Sequence, residues 1–313
     1  MMAGKRFSNL DLVDACDNFS YEEEAYGQLY QLYLPDDQPY GYLWPEVVKR
    51  MPWTDDFAVD DERRRVTVLD ASNGSDVSSA CNAAFAKLIN DTIDKDIFAC
   101  LHKKHSEPFP ILGAKYPVRF ERFAGDLFGI TARGAHLTVY TMTEEGMRIW
   151  VPRRHPNMFT YPNKLDTTVA GGVSADESPA QNIIREAHEE ASLPADLIEH
   201  GIRSTGVLTY MSQEKGTPDG KETYIVPDVI YVYDLEVGPD ITPVPGDEEV
   251  KEFYLMSVDE VKDALSRGEF KTNSAVVMLD FFIRHGMITA DNEKDYVDIV
   301  TRMHRRLPFP TSA

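Results

Sequence analysis

The chain has 313 residues, 42% hydrophobic and 27% charged, with 52 acidic side chains against 32 basic ones and a net charge of −20. Those values describe an ordinary globular protein long enough for two domains or one large one. They exclude a nucleic-acid surface, because neutralising phosphates takes clustered Lys and Arg and only short groups such as "ERRR" are present.

The N-terminus, "MMAGKRFSNLDLVDACDNFS", carries acids early and lacks the apolar core of a secretory leader. No apolar run nears the roughly 18 residues of a membrane span. Further on, "GYLWPEVVKRM" reads as a short helix with Pro45 in its first turn, and "RRRVTVLD" alternates like a strand. Ser78 to His102 reads as a long amphipathic helix with Ala80, Ala84, Leu88, Ile89 and Ile93 along one face. "EPFPILGAKYPVRFERFAGDLFGI" is the Pro- and Gly-rich approach to a second unit. From about residue 130 the pattern turns to short strands. "AHLTVYTM" and "MRIWVPRR" flank the turn "TEEG", and "YIVPDVIYVYDLEV" and "VKEFYLM" follow, with Pro227 expected at a strand start or edge. "SVDEVKDALSRG" has a capping box and a terminal glycine, and two more helices close the chain. The expected fold class is α+β, divided into residues 1–130 and 131–313. Three scattered cysteines, Cys16, Cys81 and Cys100, have neither zinc-site nor disulfide spacing, which points to a reducing cytoplasm.

The chemistry concentrates in "GGVSADESPAQNIIREAHEEASL", residues 171–193. Ser178 and Pro179 start a helix on which Glu186, Glu189 and Glu190 share one side, one turn apart. Three adjacent carboxylates repel one another and raise each other's pKa unless a hard divalent cation lies among them. A solvated acidic helix held by Arg185 is the simpler alternative for such a charge run. The glycine pair, Gly171 and Gly172, is expected to let the chain turn and bring backbone carbonyls near an ion.

The offsets from Gly171 through Glu177 to "REAHEEASL" resemble the Nudix signature, with Ser192 where that family usually has glycine. The resemblance implies a Nudix α/β/α sandwich preceded by an additional N-terminal α+β domain that helps shape the substrate pocket. It implies that Glu186, Glu189, Glu190 and Gly171 hold Mg²⁺ or Mn²⁺, that Arg185 orients the glutamates, and that Glu177 is structural. Such a cation polarises phosphoryl oxygens and makes water a nucleophile near neutral pH. The general base is left open among these glutamates and Glu222, Asp228, Glu248 and Glu249.

Further stretches, including "IWVPRRHPNMFTYPNKLDTTVAGGV" and "FKTNSAVVMLDFFIRHG", resemble the fungal and plant Nudix proteins labelled thiamin pyrophosphokinase-related. That likeness implies hydrolysis of thiamin diphosphate and its oxy- and oxo- analogues to the monophosphate and phosphate. It does not imply a kinase, since there is no GxxxxGK[ST] loop. Arg153 and Arg154 are candidates for gripping phosphate, and Tyr161, Phe159 and Tyr231 for stacking on a ring. His155, His285 and His304 are assigned no role. The expected partner is a small-molecule diphosphate, with no nucleic acid or membrane, and a homodimer is left open. Three rivals stay in view: a hydrolase of nucleoside-diphosphate-linked compounds, an isomerase of isopentenyl diphosphate, and a non-catalytic ligand sensor. The isomerase needs a reactive cysteine, and none lies in the C-terminal half.

Overall fold

The computed structural model describes residues 6–101, 103, 105–158, 160–215 and 222–312. Phe159, one of the stacking candidates, and His102 lie outside them. The first part runs α1 (Asn9–Cys16), α2 (Glu23–Tyr26), β1 (Tyr30–Tyr33), β2 (Pro39–Leu43), α3 (Pro45–Arg50), β3 (Phe57–Asp60), β4 (Arg65–Val68), α4 (Val77–Asp94), β5 (Pro108–Pro110), β6 (Arg119–Glu121) and α5 (Gly125–Phe128). The rest comprises β7 (Ala132–Thr143), β8 (Gly146–Arg154), β9 (Val169–Gly172), α6 (Pro179–Ala191), α7 (Ala195–Gly201), β10 (Arg203–Lys215), β11 (Thr223–Glu236), β12 (Val250–Ser257), α8 (Val258–Ser266), α9 (Thr272–Arg284) and α10 (Tyr296–Arg302).

A mixed sheet, ordered β10-β11-β7-β8-β12 with β9 beside β7, forms the central layer of the later part. Its side chains alternate between faces, as strand geometry requires. Leu137, Val139 and Leu235 pack with Ile183, Ala187 and Ile198 of α6 and α7. Tyr140, Ile149 and Val232 pack on the other side with Val261, Met278 and Phe281 of α8 and α9. The result is the expected α/β/α sandwich within an α+β chain. Along one edge β7 pairs first with β9, over Leu137 to Gly134, and then with β8, over Tyr140 to Thr143. Thr168 bridges that fork, accepting from the Val139 N–H at 2.9 Å and donating to the Trp150 carbonyl at 2.6 Å. The earlier part has its own sheet, β2-β1-β4-β3, with Phe85 and Leu88 of α4 buried against it. Among the described residues no helix is long and apolar enough to cross a membrane.

Two expectations change and one narrows. The long helix ends at Asp94, where Lys95 caps it and the chain turns through Asp96 at a positive φ of 51°. Strand β10 has no counterpart in the sequence reading; it lies at the sheet's edge and much of it is exposed, so its alternation is weak. Pro227 is not at a strand start but five residues into β11, on a stretch whose side away from β10 is still an edge. It costs no ladder bond there. Its β10 partner, Met211, turns its N–H to Asp17 and its carbonyl to the Phe19 N–H, while pairing of β11 with β7 begins only at Asp228.

The two ends of the chain are clasped together. Leu12, Val13 and Cys16 of α1 belong to the core beneath α9. Asp17 is fully buried and meets Arg305 at 3.0 Å and Arg302 at 3.4 Å.

Candidate active site

Helix α6 starts where its sequence says it should. Ser178 accepts from the Gln181 N–H at 3.2 Å, the Gln181 side chain accepts from the Ser178 N–H at 2.9 Å, and Pro179 fills the first position. Ser192 ends it in the left-handed conformation, φ 52° and ψ 28°, which a glycine would adopt without strain. The helix exit is therefore built as the signature requires. The loop 244–246 completes it, as the Val244 and Gly246 N–H groups donate to the carbonyls of Ala191 and Glu190.

Arg185 ties the glutamates together. It donates to both Glu177 oxygens, at 2.6 and 3.0 Å, and meets Glu186 at 3.0 Å and Glu189 at 2.8 Å. Glu177 is held below the usual carboxylate range, first by those bonds. Glu186 goes the other way, to about 7, because burial and the Glu189 charge outweigh Arg185. Burial and Glu186 push Glu190 well up too, although the Ala170 N–H donates to it at 3.1 Å. Asn182, which the sequence reading passed over, is completely buried and donates to the Gly172 carbonyl at 2.9 Å, to Glu177 at 3.1 Å and to Glu186 at 3.4 Å.

The glycine pair serves close approach, not turning. Neither glycine has a positive φ, and both sit in extended strand β9. A Cβ on Gly171 would stand 2.3 Å from Glu186 Oε1, and one on Gly172 would stand 2.8 Å from the Phe109 ring. That corrects the expectation of a sharp bend.

These residues open onto a cavity of about 730 Å³. Its floor is the face of β7 and β11 carrying Gly134, His136, Asp228 and Ile230. The earlier part of the chain supplies Phe109, Phe120, Arg122, Phe123 and Asp126 as walls. Of the four later carboxylates considered from sequence, Asp228 and Glu249 line the cavity, and Glu249 lies close enough to raise both Glu186 and Glu190. Glu222 is instead paired with Arg50 at 2.9 Å. His136 hydrogen-bonds Thr167 at 2.8 Å, and burial, then Lys271, drives its pKa down to about 3, so it is neutral.

The substrate candidates divide. Arg154 lines the cavity, bound to Asp166 at 3.0 Å and to the Thr160 carbonyl at 3.2 Å, with its Nε unpaired. Lys271, which no local signal singles out, lines the cavity as well, as do Arg122, Arg133 and Lys215. Arg153 turns away, to the Asn163 carbonyl at 3.0 Å and over the Tyr254 ring. Tyr231 packs into the core beneath α6, since its place in β11 faces that layer. Tyr161 lines a side chamber with Cys16 and Tyr210 that shares Glu214 and Asp228 with the main cavity. Cys100 lines the cavity although it comes from the earlier part of the chain, so position alone does not exclude a cysteine. Burial, and after it the charge of nearby Asp126, pushes its thiol up to about 12, so it stands as a neutral thiol beside Asp126.

Among the described residues no three carboxylate, imidazole or thiol groups converge on one point that could hold an ion. The carboxylates have spread onto other donors: Glu189 to Arg185, Glu190 to Ala170, Glu186 to Arg185 and Asn182. The donor set still fits a hard divalent cation, being all oxygen and carrying unrelieved repulsion at Glu186 and Glu190.

A conserved-domain description, NUDIX domain, matches residues 132–276, which hold all of these glutamates. The chain belongs to the Nudix superfamily of pyrophosphohydrolases, whose members generally use divalent metals. It is 33% identical over 322 residues to an uncharacterized protein of Saccharomyces cerevisiae, YJR142W, covering 97% of this chain and 93% of that one. It is 30% identical to the chloroplastic Nudix hydrolase 20 of Arabidopsis thaliana over 71% of this chain, and spans 58% of that protein's length. A crystal structure from Deinococcus radiodurans is similar over 64% of this chain and 100% of that one, at 19% identity and a TM-score of 0.39.

Proposed function

We propose that the protein is a cytoplasmic Mg²⁺- or Mn²⁺-dependent diphosphatase that converts thiamin diphosphate and its oxy- and oxo- analogues to the monophosphate and phosphate. The observation that carries this reading is the polarity of the cavity. The box glutamates line it beside β9, and Asp126, Asp228 and Glu214 line it from α5, β11 and β10, among Phe120, Phe123 and Tyr224. The register from Gly171 through Ala135 to β11 puts Gly171 and Asp228 about 14 Å apart. A diphosphate joined to a flat, cationic ring system suits that span, and carboxylates beside aromatic rings suit its charge. Adenine, a sugar or an isoprenyl chain brings no positive charge to these carboxyl groups, which the cavity's own Arg122, Lys215 and Lys271 offset only in part, since burial and mutual repulsion still raise Asp126 and Asp228.

Glu186, Glu189, Glu190 and Gly171 would hold the cation, which, when bound, neutralises the diphosphate and acidifies the attacking water. Arg185, Glu177 and Asn182 fix the direction of those carboxylates. Arg154 and Lys271 grip the terminal phosphate, and Glu249 takes the proton from water. The bond from the terminal phosphorus to the bridging oxygen breaks, and water's oxygen leaves in phosphate. In this reading residues 1–130 form a domain that walls the substrate and residues 131–313 the hydrolase domain.

The test is phosphate release with Mg²⁺ from thiamin diphosphate, oxythiamin diphosphate, ADP-ribose, NADH and isopentenyl diphosphate. Fast release from the thiamin compounds, lost in Glu190→Gln and lowered in Glu249→Gln, is the expected result. Turnover confined to a nucleotide compound overturns the substrate, and silence throughout favours the sensor.

A further inference from the structure

The three carboxylates at the organic end of the cavity are not equivalent. Asp228 accepts from the Tyr210 hydroxyl at 2.8 Å, and Glu214 from Ser212 at 3.2 Å. Among the described residues the Asp126 carboxyl has no hydrogen-bond partner, although it lines the cavity. We propose that Asp126 sets the enzyme's choice of ring substituent, standing as a carboxylic acid that donates a hydrogen bond to an oxo group and disfavours an amino group at the same place. This rests on the diphosphatase reading and goes beyond it by assigning one residue to the choice between analogues.

The placement supports the role. Asp126 sits on a one-turn helix packed against β11, half-buried where it lines the cavity. The charged groups that face it are Glu214 from β10, Asp228 from β11 and Arg122 from the turn before α5; Cys100, a neutral thiol, faces it from the turn at 99–101. Arg122 is already occupied, meeting Glu107 at 2.7 Å. Burial first, then Glu214 and Asp228, push Asp126 up to about 7, so near neutrality it passes from donor to acceptor. An oxo substituent needs a donor and an amino substituent an acceptor, and a buried polar group left unpaired is strongly disfavoured.

The experiment measures kcat/KM for oxythiamin diphosphate and thiamin diphosphate from pH 5.5 to 8.5. The ratio favours the oxo compound at low pH and falls about tenfold as Asp126 loses its proton, a change worth roughly 1.4 kcal/mol. Asp126→Asn flattens that dependence. Asp228→Asn removes a neighbouring negative charge and moves its midpoint to lower pH, which a merely structural role would not do. A slope that persists in Asp126→Asn, or a midpoint unmoved in Asp228→Asn, overturns the proposal while leaving the diphosphatase intact. If Asp126→Asn does not fold, the Asp228→Asn midpoint decides alone. If wild type turns over neither compound but cleaves a nucleotide, the diphosphatase reading falls and this proposal with it.

Discussion

Arg185 grips Glu177 with two hydrogen bonds, Nε to Oε1 at 2.6 Å and Nη2 to Oε2 at 3.0 Å, so its guanidinium is fixed before it reaches Glu186 and Glu189. A flexible ammonium cannot reproduce that fork. Arg185→Lys should therefore lower kcat by about 10- to 100-fold and weaken Mg²⁺ activation, with KM for the diphosphate little changed. Steady-state kinetics at several Mg²⁺ concentrations check this. A rise in KM alone would mean that Arg185 touches substrate.

Glu190 is buried with a strongly raised pKa, so the metal-free fold carries a cost there at neutral pH. Glu190→Gln removes that cost and a ligand together. The variant should lose about 10²- to 10³-fold in turnover, yet melt higher than wild type in EDTA. Its melting temperature should respond less to added Mg²⁺. Thermal melts with and without the ion read both effects.

Gly171→Ala tests why the glycine is there. Its Cβ would stand 2.3 Å from Oε1, 2.5 Å from Cγ and 2.6 Å from Cδ of Glu186, so the whole side chain must change rotamer, at about 1 kcal/mol, while the fold survives. The carboxylate cannot swing and stay in place. Activity should fall on the order of 100-fold, as misplacement by about an ångström commonly costs. An active Gly171→Ala enzyme would show that the position of Glu186 does not matter.

Ser192 holds a left-handed conformation without being glycine. Ser192→Gly should raise stability by about 1 kcal/mol, relieving that strain, and leave turnover unchanged. Urea denaturation measures the gain.

Asp126 and Asp228 are raised to about 7 and about 6 by burial. A raised carboxylate keeps its proton in the fold and surrenders it when unfolded, so its contribution is complete below about pH 4 and disappears as pH rises through the folded value. Metal-free protein should lose stability from about pH 4 to pH 7, and Asp126→Asn should make that slope shallower. Denaturation midpoints in EDTA across this range test the sign.

The box glutamates were legible because helical spacing turns sequence offsets directly into a shared face. Arg185 and Glu177 were legible only through the offsets of the Nudix signature, since Glu177 precedes the helix. Asp126 and Lys271 were not, and Glu249 could be named only as one of several later carboxylates, because α5, the loop before β12 and the start of α9 meet only when the sheet assembles. Tyr231 and Arg153 misled because an aromatic or cationic residue near the signature carries no record of which side of its strand it occupies. The fold behaved similarly: hairpin β7–β8 and the capped helices followed local signals, while edge strand β10 depended on neighbours distant in sequence.

The clasp of Asp17 on Arg302 and Arg305 bears on synthesis. Its partners lie 285 and 288 positions further along the chain. At roughly 5–20 residues per second, Asp17 leaves the ribosome about 15–60 s before they do. Until then α1 has no completed seat beneath α9, and the carboxylate must stay in water. A nascent chain stalled between Arg284 and Arg302 therefore has α9 to receive its first helix but neither cation to neutralise Asp17.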